Sequence, residues 1–93
     1  MGSMSALGHV LVASASGEVD AVWDLLDEMA VRHTGRESAG VVVHSLGPEQ
    51  PRFCVHPTGE EEHEFRHDVL LEALLMGAVW LAGQLGDDLW RRD

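Results

Sequence analysis

The chain has no lysine and no tyrosine, a single cysteine, and six arginines against sixteen acidic residues, for a formal charge of −10. Each shortage excludes something. Binding to phosphate backbones needs clustered Lys and Arg, so this charge balance argues against nucleic acid and against anionic membrane surfaces as partners. A lone Cys54 cannot close an internal disulfide, which rules out a disulfide scaffold and suits a reducing, cytoplasmic setting. No apolar run is long enough to span a membrane. The most apolar stretch, Val69–Leu85, has 17 residues and includes Glu72 and Gln84, whereas a span takes about 20 residues with few or no charges. No basic segment followed by an apolar one opens the chain, so no signal peptide is visible. Met1-Gly2-Ser3-Met4 reads as an expression scar before a native start.

What remains describes one small domain. Ninety-three residues leave no room for two cores. The apolar share of 45% is ordinary for a globular chain and excludes wholesale disorder. We expect the domain over residues 5–86 and a tail over 87–93.

Residues 8–13, Gly-His-Val-Leu-Val-Ala, form a β-branched run that reads as a strand. The clearest helix follows over 17–34. Val19, Val22, Trp23, Leu26, Met29 and Ala30 recur at spacings of three and four. Ser16 is placed to cap it, Arg32 and His33 suit its last turn, and Gly35 suits the left-handed position beyond its end. Its outer face carries Asp20, Asp24, Asp27 and Glu28. Residues 40–46 and 52–56 read as two further strands, joined by the turn-forming Gly47-Pro48-Glu49-Gln50-Pro51. Alternation puts Cys54 and His56 on one face of the second of these, opposite Phe53 and Val55. Thr58 and Glu61 stand at capping-box spacing, so a last helix is expected from there to about Leu85, with Gly86 as its stop.

The expected order is β-α-β-β-α, a two-layer, split βαβ-like α+β fold. It has a mainly antiparallel three-stranded sheet and two helices on one face. In it the first and third strands lie parallel and the second lies at an edge. From Val69 onward the last helix is apolar nearly all round, and a helix apolar on every side is buried on every side. One three-stranded sheet cannot cover it. We therefore expect a homodimer through Leu70, Leu74, Gly77, Ala78 and Leu81, with Ala and Gly letting a second helix approach closely.

One string carries possible chemistry. His63-Glu64-Phe65-Arg66-His67 is an H-E-x-x-H pattern. On a helix, positions i and i+4 share a face, so both imidazoles could hold one Zn²⁺. These five residues resemble the zincin metallopeptidases. That resemblance implies His63 and His67 as zinc ligands and Glu64 as the base that polarises a metal-bound water. The metzincin continuation asks for Gly at position 70 and His at 73, where this chain has Leu70 and Ala73. A non-catalytic zinc site is a separate reading: Cys54 and His56 on the strand with His63 and His67 on the helix make a four-ligand set. Ser14-Ala15-Ser16-Gly17 lacks the spaced glycines and Lys of a phosphate loop, and no Gly-x-Ser-x-Gly elbow is present.

The sequence thus points first to a small acidic, non-enzymatic interaction or regulatory module without a required cofactor. It would self-associate and offer Asp20, Asp24, Asp27 and Glu28 to a basic protein partner. The alternatives are a zinc hydrolase or structural zinc protein built on His63-Glu64-x-x-His67, and a dimeric module that senses a small metabolite.

Overall fold

The computed structural model of the chain describes residues 5–86. The expectations for residues 1–4 and for the 87–93 tail lie outside the described residues. The order is α1 (Ala6–Ala15), α2 (Val19–Thr34), β1 (Val42–Ser45), β2 (Phe53–His56), β3 (Phe65–His67) and α3 (Leu70–Leu85). The fold is α+β, with a three-stranded antiparallel sheet in the order β1-β2-β3 and helices packed on it.

Three expectations are corrected. Residues 8–13 are not a strand but the body of α1. Ser5 caps it, its hydroxyl oxygen accepting from Gly8 N at 3.0 Å, and Leu7 and Val10, three residues apart, are buried. A β-branched run of six residues carries little information of its own. The cap before it and two neighbouring helices decide its conformation. Ser16 accordingly ends α1 instead of starting α2, which begins after Glu18 with no side-chain cap. With residues 8–13 helical, the expected parallel pairing of the first and third strands does not occur; the expected second strand, 40–46, is β1 and does lie at an edge, with β2 at the centre. Finally, the last helix starts at Leu70, after Val69, and not near Thr58. Residues 57–64 form a looped turn and 65–67 supply the third strand.

The remaining elements follow their sequence signals. The α2 helix runs where its apolar period puts it, with Val22, Leu26, Met29 and Ala30 buried. Gly35 and Gly86 close α2 and α3 in the left-handed region, at φ 74° and 69°, where only glycine is unstrained. The turn between β1 and β2 is closed by Leu46 N donating to Arg52 O at 2.6 Å.

The added helix resolves the problem of α3. Among the described residues α3 is the helix that touches the strands, lying on β2 and β3, while α1 and α2 pack against its other sides. It is a middle layer. Leu74, Ala78 and Leu81 are fully buried and Gly77 is buried, all inside one protomer. At Gly77 α3 passes close to other parts of its own chain: a Cβ there would sit 3.1 Å from Pro57 Cγ and 3.4 Å from Leu26 Cδ2. The residues expected at a dimer interface are therefore spent on the protomer's core, with Leu70 half-buried beside them. An all-round apolar helix needed cover, and the cover is intramolecular. Val69, Met76 and Val79 stay exposed on its outer side. No helix among the described residues is long and apolar enough to cross a membrane.

Candidate metal centre

Cross-strand partners in an antiparallel sheet point to the same face, and alternate residues point to opposite ones. The register pairs His44 with Cys54, Val42 with His56, and Cys54 with Arg66. These side chains share one face. Val43, Val55, Phe53 and Phe65 share the other; Val55 belongs to the core there, and Val43 and Phe53 pack against it. The polar face would ordinarily be wet. Here Cys54 is 3% exposed and His56 6%.

The loop over residues 57–64 folds back across His56. Its imidazole Nδ1 lies 3.2 Å from both Glu60 O and His63 O. A carbonyl oxygen only accepts, so Nδ1 carries the proton and donates to both. In the neutral ring the lone pair then falls on Nε2, which lies 3.6 Å from Cys54 Sγ. The loop is fixed in turn: Gly59 N donates to His56 O at 3.1 Å, and buried Thr58 donates its hydroxyl to Glu60 Oε1 at 3.1 Å. Thr58 is thus a loop anchor and not the helix cap its spacing suggests.

Glu64 completes the group. The ligand atoms of Cys54, His56 and Glu64 all lie within 4.8 Å of one another, and the three residues could hold a metal ion. Arg66 Nε donates to Glu64 Oε2 at 2.7 Å and orients that carboxylate. This hydrogen bond and the carboxylate's charge raise the Arg66 guanidinium above its ordinary pKa, and Cys54 adds a smaller push in the same direction. Arg66 therefore faces two of the three ligands. An open cleft of ≈ 400 Å³ lies over them, also lined by His44, Leu46 and Glu61.

The H-E-x-x-H string does not act as a unit. Helical i, i+4 geometry is absent because residues 63–67 run from a turn into β3. The ring of His63 packs on Trp80, with centroids 4.4 Å apart. His67 pairs with Phe53 on the opposite face of the sheet, and its Nδ1 accepts from Val69 N at 3.0 Å. Of the expected metal ligands, Cys54 and His56 come together, while His63 and His67 do not join them. His63 instead groups with Glu60 and Glu62, and the Glu60 carboxylate is already engaged by Thr58 and, at 3.9 Å, by Arg36. Glu64 enters as a candidate ligand and not as a base between two zinc-bound histidines.

The acidic face of α2 is divided too. Asp20, Asp24 and Glu28 are exposed. Asp27 is half-buried, and its Oδ1 accepts from Val41 N at 2.8 Å, tying α2 to the segment that enters β1.

Arg66 and His44 are not among the ligands or partners of a site that the sequence patterns single out. The available signal was period-two alternation: once 65–67 is a strand paired with β2, Arg66 falls beside Cys54, and His44 falls on its other side. Compared with known proteins, the chain matches no family model, no curated protein and no solved structure.

Proposed function

We propose that this chain is a small non-enzymatic regulatory module that binds zinc through Cys54 Sγ, His56 Nε2 and the Glu64 carboxylate. The observation that carries the reading is the His56 arrangement. A metal-bound histidine commonly donates its other ring N–H to a carbonyl or carboxylate, which fixes the tautomer and aims the free lone pair. His56 has that partnership twice over. The 3.6 Å separation of Sγ and Nε2 also supports it. Ligands about 2.3 Å (S) and 2.0–2.1 Å (N) from zinc at a tetrahedral angle lie about 3.5–3.6 Å apart.

The charges suit a dication. A Cys54 thiolate and a Glu64 carboxylate neutralise it, and a thiolate with an imidazole favours zinc over the hard, oxygen-seeking ions. Arg66 serves as the outer partner of the carboxylate. The separation of His63 from His67 removes support for peptide hydrolysis. The exposed Asp20, Asp24 and Glu28 are then the surface offered to a basic partner.

Elemental analysis of untagged protein tests this. One zinc per chain is expected, and Cys54→Ser and His56→Ala each abolish it. Zinc at a hundred times its Kd should stabilise the fold by about 2.7 kcal/mol, a rise of roughly 10–20 °C in Tm for a domain of this size. Protein that takes up no zinc and shows no thermal shift would overturn the assignment.

A further inference from the structure

We propose that His44 is the fourth ligand of this site, closing it into a four-coordinate centre. The inference rests on the zinc reading above and goes beyond it. Three protein ligands leave one corner of a tetrahedron free. An open corner is the mark of catalytic zinc, and a filled one that of structural zinc.

His44 is placed to fill it. It lies on β1 directly opposite Cys54, and paired side chains across antiparallel strands have Cβ atoms about 4.5–5.5 Å apart. Its ring stands edge-on to His56, with centroids 5.2 Å apart and planes at 80°. It lines the same cleft. No hydrogen bond among the described residues holds its ring nitrogens, and the residue is exposed, so rotation about its side-chain bonds meets little resistance. Such a rotation turns a ring nitrogen from the flank of His56 toward the metal.

The other cleft residues are poorer candidates. Leu46 has no donor atom and Arg66 is a cation. Glu61 would add a third negative ligand and leave the centre with a net charge, whereas a neutral imidazole keeps zinc, thiolate and carboxylate balanced. A closed centre of this kind carries no bound water to activate, in keeping with a non-enzymatic role.

The test is a zinc titration against a chromophoric chelator, paired with Co²⁺ absorption spectra, on the full chain and on three exposed-site variants. His44→Ala should weaken zinc binding about a hundredfold, near one quarter of the free energy of a four-ligand structural site. It should also reduce the intense visible bands of tetrahedral Co²⁺ while keeping the thiolate charge-transfer band from Cys54. Glu61→Gln and His9→Ala should bind as the parent does. Parent protein that binds zinc while His44→Ala binds it equally overturns the role of His44 alone, as does a loss carried by Glu61→Gln. Parent protein that binds neither metal overturns the three-ligand site itself.

Discussion

If α3 is a middle layer within one protomer, Leu81 should be a stability residue whose cost does not depend on protein concentration. Its side chain is fully buried in the cluster that includes Leu26, Leu74 and Met29. Leu81→Ala removes buried methyl groups and leaves a cavity, at a cost of about 2–5 kcal/mol. A domain of this length has roughly 5–14 kcal/mol of total stability, so the variant should remain folded while losing a large share. At about 4–8 °C per kcal/mol, a loss of about 3 kcal/mol lowers Tm by about 12–24 °C. Urea unfolding, followed at two widely separated protein concentrations, is the assay. The midpoint should fall by the same amount at both, with an unchanged m-value. Val79→Ala, on the exposed side of the same helix, should cost no more than about 0.5 kcal/mol. A cost under about 1 kcal/mol for Leu81→Ala would refute this placement, as would a midpoint shift that grows on dilution, since Leu81 would then be packing against another chain.

Two further outcomes follow from single contacts. Asp27→Ala leaves the N–H of nearly buried Val41 without its acceptor and should cost about 1–3 kcal/mol. Asp27→Asn keeps a side-chain oxygen and should recover most of that loss in chemical denaturation; equal losses would show that the 2.8 Å contact is not the cause. Arg66→Ala frees the Glu64 carboxylate from its orienting hydrogen bond and should weaken zinc binding about 10–100-fold without abolishing it. An unchanged zinc titration would remove Arg66 from the site.

The elements differ in how readable they were, and the difference has physical causes. The α2 helix was legible because sixteen residues sustain a 3.6-residue apolar period and end on Gly35. The β1 and β2 strands were legible from short apolar runs around a Gly-Pro turn, and the stop of α3 from Gly86. The α1 segment was not. Residues 8–13, with β-branched Val10 and Val12 and no helical period, suit a strand locally, and packing against α2 and α3 makes them a helix. The Thr58–Val69 stretch departs from its local signals for a similar reason. Its capping-box spacing and H-E-x-x-H string both imply a helix, but the His56 imidazole draws the Glu60 and His63 carbonyls into a turn, and β2 recruits 65–67 as a strand.

The amino-acid order alone determined the α+β class, the acidic exterior, the all-round apolar helix and the shared face of Cys54 and His56, because each depends on composition or on a period of two or 3.6 residues. Only the tertiary structure decided what covers that helix and which ligands meet. Cover depends on which elements stack on it, and the meeting of Cys54, His56, Glu64 and Arg66 depends on which strand pairs with which. The first is a matter of contacts between segments distant in sequence; the second turns on whether residues 57–67 loop and pair with β2 or continue as a helix, a choice that local spacing leaves open.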